Sequence, residues 1–232
     1  MEGFNFLDKV LIVPDIFGNK VIACFTGRRM GADVEHLSKL PSFANRKIFM
    51  PIQKHSDKVL RLDSDLEPKI ADAVITNRKD VIIGIQAADC VPILLYDTKA
   101  HSIGAVHAGW RGTAAQILRK TIDAVEDRFG SSASNMFVAI GPSIKGCCYN
   151  VGYEVIEAVE IASGKGDYWK KKGEQYFIDL SAANKRQAIS SGVPAENIWI
   201  SKDCTFCQNE KYYSYRHAKG PTGRQGGFIG LL

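Results

Sequence analysis

The sequence predicts an α/β or α+β domain of several layers, and three observations predict it. Strand-length apolar runs recur along the 232 residues, helical patterns alternate with them, and the composition is even from end to end. With no repeat and no low-complexity linker, residues 1–232 are expected to form a single domain. In chain order, the run Val21–Phe25 reads as a strand, followed by Val81–Ile85, Val91–Tyr96 and Ile103–Val106. Several of these are rich in β-branched residues and bounded by Gly, Asp or Asn, as strands tend to be. Thr113 is then placed to cap a helix in which Ile117, Leu118, Ile122, Val125 and Phe129 recur at three- and four-residue spacing, ending at Gly130. Phe137–Ile140 reads as the next strand, and Val155, Ile156 and Val159 mark a second helix. A third helix is expected over Leu180–Ser191, with Ser181 near its start and Gly192 just past its end, before a strand at Ile198–Ile200.

Composition narrows the function classes. Hydrophobic residues make up 45% of the chain and charged residues 24%, which excludes disorder, collagen-like repeats and simple coiled coils. The net charge of +5 comes from basic residues scattered along the chain, with Lys170-Lys171-Lys172 the densest run, so no nucleic-acid partner is expected. No stretch approaches the about 18 apolar residues of a membrane helix. The segment Met1–Asp8 has no basic n-region and the apolar run Val10–Val13 stops at Pro14, so no secretory signal is expected and the cytoplasm is the default location. Six cysteines are too few for a disulfide scaffold in a chain of this length and read as thiols, metal ligands or small buried groups.

The densest chemistry lies between Gln53 and Thr113. Gln53-Lys54-His55-Ser56-Asp57 sets a histidine in a polar stretch, and Ala88-Asp89-Cys90-Val91 sets a carboxylate and a thiol at the entrance to an apolar strand. Ala105-Val106-His107-Ala108-Gly109-Trp110-Arg111-Gly112-Thr113 runs from a strand through a Gly-containing loop into a helix. Backbone N–H groups there, with Arg111 beside them, would favour an anion. Two imidazoles and a thiolate suit Zn²⁺ and leave a fourth position open, but His55, Cys90 and His107 are 35 and 17 residues apart. At such spacing alone, a small buried cysteine and two hydrogen-bonded histidines are favoured over a metal site.

Other signals are weaker. Cys204-Thr205-Phe206-Cys207 is a Cys-x-x-Cys without a second such pair, for which incidental local placement is favoured over a redox or structural-zinc role, and the adjacent Cys147-Cys148 reads as unable to form a normal metal clip. Gly141-Pro142-Ser143 and the Gly-rich stretch Pro221–Gly227 read as turns, and Arg28-Arg29 as a solvated loop or an anion contact. The His-x-Glu…Pro-Cys-x-x-Cys signature of nucleobase deaminases is absent, as are a P-loop, a Gly-x-Ser-x-Gly elbow and His-Glu-x-x-His.

Five ordered segments together resemble the YfiH/YlmD family, once labelled multicopper polyphenol oxidases and also peptidoglycan editing factors. They are Gln53–Val59, Ala88–Asp97, Ala105–Thr113, Ile140–Val155, and Cys204-Thr205 followed by Tyr213-Ser214-Tyr215-Arg216 and Thr222-Gly223-Arg224. The resemblance implies a four-layer α/β/β/α sandwich with mixed sheets, akin to the catalytic domain of cytotoxic necrotizing factors. It implies one Zn²⁺ on His55, Cys90 and His107, and phosphorolysis of adenosine, inosine and methylthioadenosine together with adenosine deamination. Purine nucleosides and phosphate are then the expected partners, with Arg28 and Arg111 holding phosphate and Asp89 a proton carrier, a second-shell partner or a turn residue. Copper on the same three residues is the lesser expectation, because a multicopper site needs more imidazoles than five histidines supply. The chain departs from the pattern at Phe25–Gly31, where the family reads Phe-Ser-Thr-Arg-x-Gly-Gly, at Asn150 in place of Glu, and at His217 in place of Arg. Two alternatives remain: a cysteine hydrolase of cell-wall precursors with Cys90 as nucleophile and His107 as base, and a metal-binding protein without catalysis.

Overall fold

The computed structural model describes residues 11–232. The reading of Met1–Asp8 and the start of the run at Val10 lie outside the described residues. Six strands form one mixed sheet, in the order Ile198–Ile200, Met136–Ile140, Val91–Asp97, Ser102–Ala108, Ala73–Thr76, Val59–Arg61. Five form a second, in the order Leu11–Ile12, Val21–Thr26, Gln225–Leu231, Val81–Ala87, Lys47–Phe49. A small third sheet joins Asn150–Val151, Gln175–Ile178 and Trp169–Lys172.

Side-chain alternation explains how the layers stack. Every residue of Val91–Asp97 is buried, as expected of a strand covered on both faces. Val91, Ile93 and Leu95 pack on one side with Ile117, Leu118 and Ile122 of helix Ile117–Phe129 and with Val155, Ile156 and Val159 of helix Tyr153–Ser163. Leu94 and Tyr96 point the other way, into a core shared with Phe25, Ile83, Ile85 and Ile229 of the second sheet. The far face of that second sheet, with Cys24, Ile82 and Phe228, is covered by Leu37 of the short helix Val34–Ser38 and by Leu40 and Phe43. The result is the mixed α+β fold in four layers, helix, sheet, sheet, helix. None of the described helices is long and apolar enough to cross a membrane.

All six expected strands form, each within two residues of the expected ends. Two local readings are corrected. Thr113 does not cap the long helix: it lies inside a separate five-residue helix, Trp110–Ala114, and Gln116 at φ 58° breaks the chain before Ile117. The reason is tertiary, since buried Asn184 donates to the Thr113 hydroxyl (2.9 Å) and Gln187 to its carbonyl (2.8 Å). The Gly-rich C-terminal stretch is not all turn, because Gln225–Leu231 is a fully buried strand between Val21–Thr26 and Val81–Ala87. A Cβ on Gly226 would sit 2.5 Å from the Ile85 carbonyl oxygen, so the glycine is what admits the neighbouring backbone.

Candidate active site

The site forms where the two sheets exchange the chain. After Ala87 the chain leaves the five-stranded sheet, turns through Ala88-Asp89-Cys90 with Asp89 at φ 85°, and enters the six-stranded sheet at Val91. Hairpin register pairs Val91 with Ala108, which sets Cys90 against Gly109. Register between Ala73 and Val106 likewise brings Asp72, just ahead of its strand, beside His107. The His107 N–H donates to the Asp72 carbonyl at 2.7 Å, and its Nδ1 lies 2.9 Å from Asp72 Oδ1.

Asp72 is the residue that sequence reasoning missed. It is wholly buried. Besides His107, its carboxylate accepts the backbone N–H groups of Lys54 (3.1 Å), His55 (3.0 Å) and Ser56 (2.6 Å) and the Ser56 hydroxyl (2.6 Å). Those bonds pin the loop on which His55 adopts φ 57°, a left-handed conformation that needs outside support. Burial works against the charged carboxylate, but the bonds from His107, Ser56 and Lys54 hold it well below the usual carboxylate range. An ionised carboxylate only accepts, so Nδ1 of His107 carries a proton toward Asp72, and Nε2 is the nitrogen that can take a metal once its own proton is released.

Three donor atoms then converge. One each from His55, Cys90 and His107, they all lie within 4.8 Å of one another, with Cys90 Sγ 3.8 Å from His55 Nε2 and the two imidazoles edge to face. Burial opposes ionisation of Cys90, yet His107 and His55 beside it bring its thiol down to about 6. Burial likewise opposes the His107 cation, and the facing Cys90 and Asp72 outweigh it, raising His107 to about 9. A Cβ on Gly109 would lie 3.0 Å from Cys90 Sγ and 3.1 Å from His55 Cδ2, so the backbone is bare where the three side chains need room. Two nitrogens and a soft thiolate, with one imidazole already oriented by a carboxylate, fit a tetrahedral metal with one position open.

The group opens into a cavity of about 540 Å³. Trp110, Tyr149 and Tyr215 give it aromatic surface, and Arg111, Arg216 and Arg224 give it positive charge. Arg111 lies over the Trp110 ring, 4.4 Å from its centroid. Gln53 and Gln86 brace the rim by exchanging two hydrogen bonds of 2.8 Å. Arg28 and Asp89 are placed as follows. Arg28 is not among the cavity's lining residues: its guanidinium donates to the Asn209 and Tyr212 carbonyls at 2.9 and 3.1 Å and stacks on Tyr213. Asp89 borders the cavity, but its carboxylate is taken up by the Thr205 hydroxyl (2.6 Å) and the Arg216 N–H (2.7 Å), so the carboxylate partner of His107 is Asp72 and Asp89 holds the turn. Arg216 and Arg224 do line the cavity, and their motifs, Tyr213–Arg216 and Thr222–Arg224, were the signal for them.

A double-sheet sandwich with a His–Cys–His group at the crossing of its sheets defines a class of proteins, and comparison gives that class a family. This chain belongs to the family described as multi-copper polyphenol oxidoreductase laccase, which matches residues 29–232. It is 37% identical over 165 residues to the purine nucleoside phosphorylase YlmD of Bacillus subtilis, a stretch that is 70% of this chain and 59% of that protein. The chain thus spans less than two thirds of that relative's length. It is 41% identical over 180 residues to a purine nucleoside phosphorylase of Clostridium acetobutylicum, covering 76% of this chain and 74% of that one. An adenosine deaminase from an unknown prokaryotic organism is 35% identical over 190 residues, 76% of this chain and 72% of its own. Among solved structures, Bacillus licheniformis YfiH superposes with a TM-score of 0.90 at 25% identity, over 97% of this chain and 98% of that one. Geobacillus stearothermophilus YlmD gives 0.89 at 26%, over 96% of each.

Proposed function

We propose that this protein is a zinc-dependent purine nucleoside phosphorylase acting on adenosine, inosine and methylthioadenosine, with adenosine deaminase activity. One observation carries the reading: the group His55, Cys90 and His107 shares a single cavity with Arg111, Arg216 and Arg224 and with three aromatic side chains. Relatives named purine nucleoside phosphorylase, and one named adenosine deaminase, support the same choice.

The three donors would hold Zn²⁺, which when bound supplies a Lewis-acidic position open to the cavity. Copper on the same donors is the second choice. Among the described residues the other histidines lie elsewhere, His36 by Asp33, His101 on the Tyr96 hydroxyl and His217 against Phe206, so no multicopper cluster assembles from them. The arginines supply the charge for phosphate and the aromatic faces a surface for the base. In phosphorolysis a phosphate oxygen bonds to ribose C1′ as the C1′–N9 bond breaks, and the base leaves with the electron pair and takes up the proton the phosphate carried. Asp72 keeps His107 in one tautomer throughout, and Asp89 keeps Arg216 at the wall.

Incubating the purified protein with adenosine, with and without phosphate, tests this. Adenine formed only with phosphate is the expected result, with inosine formed in both reactions from the deaminase activity. Neither product, from protein that holds zinc, would overturn the proposal. The bond from Asp72 to His107, with Cys90 within reach, also favours a second reading, a metal-free cysteine hydrolase of cell-wall precursors. That reading requires activity that survives chelation and is lost on thiol alkylation.

A further inference from the structure

Four of the six cysteines meet outside the site just described. Cys147 and Cys148 lie on one turn and Cys204 and Cys207 on another, and their four Sγ atoms all lie within 4.8 Å of one another. Cys148 Sγ is 3.2 Å and Cys147 Sγ 3.7 Å from Cys207 Sγ, and none of the four is in a disulfide. A tetrahedral ion with bonds of about 2.3 Å to sulfur spaces its ligands by about 3.8 Å, in the range these thiols already occupy. The adjacency of Cys147 and Cys148 therefore does not prevent a clip, because the turn that starts at Lys145 aims both sulfurs at Cys207. That turn is closed by the Cys148 and Tyr149 N–H groups, each donating to the Lys145 carbonyl at 2.9 Å.

We infer that Cys147, Cys148, Cys204 and Cys207 form a second, structural zinc site, closed to solvent ligands and distinct from the His55–Cys90–His107 group. Two further features fit a tetrathiolate. The Lys145 backbone N–H donates to Cys204 Sγ at 3.5 Å, the kind of support that steadies a thiolate. Four thiolates around Zn²⁺ carry a net charge of −2, with four protons released on binding, and the ammonium of buried Lys145 lies near both Cys147 and Cys204. The ammonium is itself held by a 2.7 Å bond to Ser181 Oγ.

The position gives the site a task. The first turn belongs to the loop that supplies Ile144 and Tyr149 to the cavity, and the second to the loop that supplies Arg216 and, through Thr205, anchors Asp89. The two loops also meet through the bridge between Ser143 and Cys204 and through Arg216, which donates to the Asn150 carbonyl at 2.7 Å and lies over the Tyr149 ring. A zinc ion there would lock one wall of the cavity together and need not take part in the reaction.

Zinc counting by mass spectrometry on protein purified under reducing conditions tests this without relying on activity. Wild type is expected to hold two zinc ions per chain, and Cys90→Ala and Cys148→Ser/Cys207→Ser one each. Should the double variant fail to fold, cobalt loading of Cys90→Ala decides. That protein has no thiolate left in the first group, so a strong thiolate-to-cobalt charge-transfer band reports the four cysteines. Cys90→Ala with no zinc and no such band would overturn the inference, as would a Cys148–Cys207 disulfide in freshly purified protein. Failure of the first metal group alone reads differently, with one zinc in both wild type and Cys90→Ala.

Discussion

At the scale of single residues, the tautomer of His107, the left-handed loop of His55 and the charge beside Cys90 all depend on the Asp72 carboxylate. It reaches each of them because the pairing of Ala73 with Val106 brings it beside His107. Asp72→Asn keeps the size but loses the acceptor-only carboxylate, so zinc at the first group should bind about 10- to 100-fold more weakly. Competition with a chromophoric chelator measures this, and unchanged affinity would show that His107 needs no such orientation. Gly109 offers an independent check. An alanine there places its Cβ 3.0 Å from Cys90 Sγ, so Gly109→Ala should lose one zinc per chain while the protein stays folded by circular dichroism.

Among the elements, the C-terminal strand Gln225–Leu231 carries the sharpest packing prediction. Gly226→Ala drives a methyl group against the backbone oxygen of Ile85, which cannot rotate away, and should cost about 1–3 kcal/mol in urea unfolding. A variant as stable as wild type would mean that the two strands can separate locally. This strand also shows where the sequence could be read and where it could not. Val91–Asp97 and Ser102–Ala108 stand out because burial on both faces demands an unbroken apolar run. Gln225-Gly226-Gly227 signals turn by composition, although its glycines are there for close backbone approach. Trp169–Lys172 hides for the opposite reason, since its lysines are exposed and read as a charge run. The break at Gln116 comes from Asn184 and Gln187, about 70 residues downstream, beyond the reach of any local pattern. His55, Cys90 and His107 became a candidate site only through the five-segment resemblance, for spacings this long carry no metal signature of their own. Asp72 stayed hidden because one Asp ahead of a short apolar run looks like an ordinary strand boundary.

Across the whole molecule, the chemistry gathers at one end of the sandwich because that is where the chain passes between sheets. One crossing carries Cys90, another carries His55 from Lys47–Phe49 toward Val59–Arg61, and the C-terminal half closes the cavity with Tyr149, Arg216 and Arg224. The two cysteine turns, on that same wall, would act as a brace rather than as reactants. Stripping all metal would therefore disturb both places at once, and a single substitution separates them. The most direct measurement is phosphate-dependent adenine release by Cys90→Ala, made on the same sample as its zinc count. Loss of one zinc ion together with loss of release, in protein that remains folded, is the predicted result. Release at the wild-type rate from protein that has lost that ion would contradict the account.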